Sequence, residues 1–279
     1  MDKASGSSIS NAPVAGLRGE YGAIGPGYEV EQRWAEYTKA EHTLWRRLYR
    51  RQIDLLPRYA CREYLESLSA LDAAEGIPDF EQVSRALRQA TGWQLVAVPG
   101  LIPDLVFFGH LAERRFPVTR WLRKPEEFDY IVEPDVFHDF FGHVPLLFNP
   151  VFAGYMQAYG AGGLKAAKLD ALTMLARLYW YTVEFGLMAT DEGPRIYGAG
   201  ILSSGGEVVH SLESSAASRL PFDLQRVMRT DYHIDRFQET YFVIDSFEQL
   251  FLETAADFAP IYERVRGLPT FTPGVAAWK

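Results

Sequence analysis

The chain has 279 residues, 48% of them hydrophobic and 14% aromatic, with 36 acidic against 28 basic side chains and a formal charge of −8. That length suits one large domain or two small ones with a sizeable core, and the acidic balance argues against nucleic acid or an anionic membrane as a partner. The one cysteine, Cys61, excludes an internal disulfide; with no apolar run near the roughly 20 residues that span a bilayer and no signal-peptide core, a cytoplasmic protein is expected.

Residues 1–28 are rich in Gly, Ser, Ala and Pro and read as a flexible N-terminal tail. From there, residues 33–56 space their apolar side chains at three and four, as an amphipathic helix does, and 57–71 read as a second helix opened by Pro57. Asp79 and Gly92 bracket a third helix. Short strands are expected at 93–100 and 116–122. A helix from Pro150 is expected to stop at the "GAGG" of 160–163, and a long, deeply packed helix to cover 169–188. Residues 195–212 look like a hairpin, 241–245 like a strand, and 246–267 like a helix with Ser246 and Gln249 in capping-box spacing and Gly267 at its end. The expectation is one domain over 29–268 followed by a C-terminal tail, 269–279. Its class is mainly α with small β elements (α+β).

The chemistry concentrates in "IVEPDVFHDFFGHVPLLFNP", residues 131–150. Neutral imidazole is a common metal ligand. His138 and His143, however, stand five residues apart, about 140° around an ideal helix, and do not match the four-residue spacing of zinc proteases. They converge only if the helix distorts or ends between them, which Gly142 and Pro145 permit. The best third ligand is Glu184, set among apolar and aromatic neighbours in "YWYTVEFGL", because a buried carboxylate must be neutralised, paired or bound to a metal. The competing reading makes Asp170, Arg177 and Glu184, spaced at seven, one solvated stripe. Two His and one carboxylate describe the open facial triad of non-haem Fe(II) oxygenases, but zinc also binds such a set.

"EPDVFHDFFGHVPLL", "ARLYWYTVEFGL" and "YGAGILSS" occur in that order, and together they resemble the catalytic domain of the pterin-dependent aromatic amino acid hydroxylases over roughly 29–265. The resemblance implies an aromatic amino acid hydroxylase-like fold, a mononuclear Fe(II) on His138, His143 and Glu184, and a tetrahydropterin cosubstrate. With O2 these hydroxylate L-phenylalanine to L-tyrosine, the protein positioning the reactants and excluding water. It further implies that Gly100, Leu101 and Ile102 meet the pterin by backbone, with Phe107 stacked on it and Asp139, where other members carry Glu, near it. Arg123, held by Asp135, would grip the amino acid carboxylate as a bidentate fork. Tyr130 and Trp180 would line the substrate pocket, with Ile234 as the apolar wall that favours an unsubstituted ring. Tyr179 would stand close to the iron, and Ser203 would orient an iron-bound imidazole. The lack of a flanking regulatory domain and oligomerisation helix implies a constitutive monomer. Other readings are a tyrosine or tryptophan hydroxylase of the same family, a zinc hydrolase on the same three ligands, and a helical domain with a structural metal.

Overall fold

The structure is a computed structural model that describes residues 17–22, 24–254 and 257–274. It is mainly helical with two small sheets, as expected. Thr38 caps α1, Lys39–Tyr59, through a capping box with Glu41. Pro57 does not open a second helix; it lies inside the last turn of α1, and α2 is Arg62–Ser69. A proline forfeits one intrahelical bond, but Leu56 and Tyr59 are buried and Ala60 still donates to the Leu56 carbonyl, so the turn holds. Asp79 caps α3, Phe80–Ala90, as expected.

Strand β1, Gln94–Val98, runs parallel to β2, Arg115–Thr119, with α4, Asp104–Ala112, as the crossover between them. Helix α5, Pro150–Lys168, passes straight through the "GAGG" that was expected to end it. Those glycines mark a close approach instead. A Cβ on Gly163 would lie 2.2 Å from the Phe108 ring of α4, so the helices meet only because the side chain is missing. The expected long helix over 169–188 also breaks: α6, Leu172–Tyr179, gives way to a π turn at Trp180–Glu184 and then to β3, Leu187–Met188.

The 195–212 stretch is not a hairpin. The true hairpin is earlier, β3 against β4, Arg195–Ile196, and the glycine-rich remainder forms α7, Ala199–Leu202, and α8, Gly205–Glu213, which Ser204 caps. Strand β5, Ser218–Pro221, is followed by α9, Leu224–Val227, and β6, Thr240–Ile244. In the second sheet β6 lies between β3 and β5, parallel to both. The last expected helix is two, α10, Phe247–Thr254, and α11, Ala259–Val265, with Ser246 accepting from the Gln249 N–H and Gly267 at positive φ beyond.

The core is aromatic. Trp45 of α1 meets Phe137 and Phe140 edge-on, Phe137 stacks on Phe141 at 4.9 Å, and the Tyr64 hydroxyl donates to the Phe141 carbonyl. All of these are fully buried, so the segment before and through His143 is clamped from behind. The described ends of the chain pack as well. Arg18 pairs with Glu127 and lies over Trp121, and Gly274 donates to Thr240.

Candidate active site

The five-residue spacing of the histidines is resolved by backbone distortion. His138–His143 form a π turn, whose i→i+5 bonding brings residues five apart onto one face. Glu184 ends the second π turn, in which the Phe185 N–H bonds to the Trp180 carbonyl at 2.8 Å. The wider turn takes Glu184 out of the seven-residue stripe: Arg177 turns away to Asp231 and the Met228 carbonyl. A third segment locks the two turns together. Gly198 lies so close to the second turn that a Cβ there would meet the Glu184 carbonyl oxygen at 2.4 Å, and α7 packs across the first turn. This is why "YGAGILSS" carries bare backbone.

Three donor atoms converge. His143 Nε2 is 3.2 Å from Glu184 Oε1, His138 Nε2 is 3.6 Å from Glu184 Oε2, and the two Nε2 atoms are 3.4 Å apart. Such spacings suit one face of an ion with metal–ligand bonds of about 2.1 Å. No other cluster of potential metal ligands occurs among the described residues. Ser203 Oγ donates to the Ala199 carbonyl at 2.9 Å and therefore accepts from His138 Nδ1, also at 2.9 Å. That acceptance fixes the tautomer and leaves the Nε2 lone pair toward the centre.

Electrostatics separate three carboxyls around the first turn. Burial pushes Glu184 up, but the facing His143 and His138, with a hydrogen bond from each of His143 and the Gly200 N–H, leave it below the ordinary carboxylate value. Burial likewise works against charge on Asp135, and the Arg123 guanidinium outweighs it. Asp135 is fully buried and accepts from the Arg123 N–H at 2.8 Å, from Arg123 Nε and Nη2 at 2.9 Å each, and from the His138 N–H at 3.0 Å. One carboxylate thus ties the guanidinium to the backbone of the first ligand. Burial prevails at Asp139, whose carboxyl is raised despite accepting the Thr119 N–H at 2.7 Å.

An aromatic path leads out from the centre. Tyr179 lies along His143 at 6.2 Å, and Phe107, half-buried, meets Tyr179 edge-on at 5.7 Å. Gly100 is buried at φ +156°, Ile102 is half-buried, and Leu101 is 46% exposed with its carbonyl accepting from the Tyr21 hydroxyl. Trp180 lies between Tyr232, stacked at 4.3 Å, and Phe185 at 4.7 Å. Tyr130 is 55% exposed on its loop. Ile234 is 72% exposed on the 231–238 loop, from which Tyr232 stacks on Trp180. Sequence reasoning also missed Thr119, Tyr232, Glu207 and Gln238. No spacing signal marks them; the first acts through backbone, and the others, from α8 and the 231–238 loop, meet only in the folded chain. The remaining histidines are structural or exposed: His42 accepts from the Ile77 N–H, His110 bonds the Gly27 carbonyl, His210 the Gln238 carbonyl, and His233 is exposed.

Fold and donor set together define a 2-His-1-carboxylate centre in a mainly helical catalytic domain. The chain belongs to the biopterin-dependent aromatic amino acid hydroxylase family, which residues 23–265 match. It is 60% identical over 260 residues to phenylalanine-4-hydroxylase of Ralstonia nicotianae, covering 93% of this chain and 82% of that one. The same-named Caulobacter vibrioides protein is 53% identical over 278 residues, covering 98% and 92%. Among solved structures, the iron- and phenylalanine-bound phenylalanine hydroxylase of Chromobacterium violaceum superposes with a TM-score of 0.87 at 55% identity, covering 94% of each chain. None of these relatives is a hydrolase, so the zinc-hydrolase reading gains no support.

Proposed function

We propose that the chain is a phenylalanine 4-monooxygenase: it converts L-phenylalanine to L-tyrosine with O2 and a tetrahydropterin, at one Fe(II) held by His138, His143 and Glu184. The observation that carries this reading is the convergence of those three donor atoms within 3.2–3.6 Å of one another, beside a guanidinium tied to the same turn. The set fits ferrous iron, since two imidazoles and one carboxylate on one face leave the opposite face free.

When bound, the iron and the tetrahydropterin together supply the electrons with which O2 is activated toward an aromatic ring. The chain's own residues do the rest. Asp135, rather than the amino acid, takes the bidentate fork of Arg123 through Nε and Nη2, which leaves the remaining terminal nitrogen for the amino acid carboxylate and so sets how far the ring reaches into the site. Phe107 offers a flat face to the pterin; Gly100, Leu101 and Ile102 offer backbone polar groups, and Asp139 a buried carboxyl. Trp180 and Tyr130 line the ring pocket, Tyr179 shields the centre, and Ser203 holds His138 in its ligating tautomer. The catalytic unit is 29–268, and the enzyme works as a cytoplasmic monomer. No helix among the described residues is long and apolar enough to cross a membrane.

The test is O2 uptake coupled to tyrosine formation in the presence of Fe(II), a tetrahydropterin and phenylalanine. Turnover that persists with zinc and without O2 would instead establish a hydrolase. A kcat/KM higher for tyrosine or tryptophan than for phenylalanine, at one pterin concentration, would move the assignment within the family.

A further inference from the structure

We propose that Glu207 and Gln238 are positioning residues for the aromatic-ring pocket: a buried carboxylate holds one glutamine, and that glutamine fixes both Trp180 and the loop over it. The proposal rests on Trp180 being a wall of that pocket, as set out above.

Residues 233–237 are all exposed, and Gln238 is buried at their end. Every polar group of Gln238 is engaged. Its N–H donates to Glu207 Oε1 at 3.0 Å, and its carbonyl accepts from His210 Nε2 at 3.0 Å. Its side-chain oxygen accepts from the Trp180 indole N–H at 2.9 Å, while Nε2 donates to the carbonyls of His233 at 2.7 Å and Arg236 at 3.2 Å. Only a primary amide presents one acceptor and two donors at a single terminus, which is what an indole N–H and two loop carbonyls require.

Glu207 is 4% exposed, and Oε1 also receives the Tyr241 hydroxyl at 2.5 Å. A buried carboxylate with two donors on one oxygen is costly unless the geometry is kept, so it holds the Gln238 backbone rigidly. The effect reaches the site through the indole. Trp180 is clamped between Tyr232 and Phe185 while its N–H is pinned, leaving it one orientation. A merely structural Glu207, joining α8 to β6, would leave substrate recognition unchanged once the chain is folded.

The test uses the full iron-loaded chain and compares Gln238→Leu, Gln238→Glu, Glu207→Leu, Glu207→Gln and Trp180→Leu. Loss of a buried hydrogen bond predicts that Gln238→Leu and Glu207→Leu each raise the phenylalanine KM about tenfold, with the pterin KM and iron content within about twofold of wild type. Glu207→Gln retains an acceptor oxygen and is expected to restore most of that loss. If the Leu variants do not fold, Gln238→Glu decides the matter. It keeps the acceptor for Trp180, loses both donors to the loop, and is expected to raise the same KM selectively. Equal shifts in both KM values, or none, overturn the proposal. Were Trp180→Leu to leave the phenylalanine KM at its wild-type value, the pocket-wall reading would fall and the relay with it. A raised KM there, with no change in the Gln238 and Glu207 variants, would remove the relay alone.

Discussion

The centre and the mouth proposed for it are built on opposite terms. Around His138, His143 and Glu184, polar groups are buried and tied: Ser203 to His138, Arg123 to Asp135, Asp135 to the His138 backbone. On the loops that carry residues proposed for the pterin and the substrate, Leu101, Tyr130, Val132, Ile234 and Phe237 are large apolar side chains left in solvent. The difference follows from what each region meets. An ion with short bonds tolerates little misplacement, so its ligands are held by backbone distortion and fixed hydrogen bonds. Larger organic molecules are recognised by area, and loops supply area. Damage to the inner region should therefore cost metal or fold, and damage to the mouth should cost affinity for one molecule.

The largest effect is expected at Glu184. Its replacement by Ala removes the only carboxylate donor of the set, and turnover should fall on the order of a thousandfold or more as iron is lost; metal analysis beside the rate checks this. Asp135→Ala should act on the fold instead. It strands the buried Arg123 charge, so roughly 3–5 kcal/mol of stability should disappear in denaturant unfolding. Ser203→Ala frees the His138 ring, and iron affinity should weaken about 10–100-fold in a chelator competition while the unfolding midpoint moves little.

At the mouth, Phe107→Ala is expected to weaken the pterin by about 1–3 kcal/mol, as for a base stacked on an aromatic ring, without touching the phenylalanine KM. Equal losses on both would make Phe107 simple packing and blur the contrast between the two regions. The smallest effect is a pH dependence at Asp104, in the first turn of α4. Burial raises its carboxyl to about 6. The folded chain then holds this proton longer than the unfolded one, so stability should decline as pH rises from the ordinary carboxylate range through about 6, and stay flat above. Solvent screening limits the change to about 1 kcal/mol. Asp104→Asn should flatten the slope in thermal melts taken across that range.

What could be read beforehand divides along the same line. The two imidazoles and Glu184 announce themselves because they stand among apolar residues, where a charge needs a reason. The way they meet could not be read, since a five-residue spacing fits a distorted helix as well as a broken one; only the packing of α7 on the first turn and Gly198 against the second decides it. Glycine misled twice. In "GAGG" and "YGAGILSSGG" it reads as a stop or a turn, whereas Gly163 and Gly198 serve contacts with elements distant in sequence. On the 231–238 loop the facing of each residue could not be read: Ile234 is exposed, while Tyr232 and Gln238 make the contacts to Trp180. A loop has no periodicity from which to read facing.

The π turns have a genetic corollary. Each is an α-helix carrying one residue more than its hydrogen-bond ladder needs, so its register is set by residue count as much as by residue type. Removing one codon within 139–142 would let the ladder close as ordinary α-helix, with the two histidines four apart and about 40° from each other on one face. An insertion is the harsher change: one residue more, with no further π turn to absorb it, would swing everything beyond by about 100°. For this chain an in-frame insertion of a single residue within 139–142 or 181–183 is thus a more severe lesion than a deletion there.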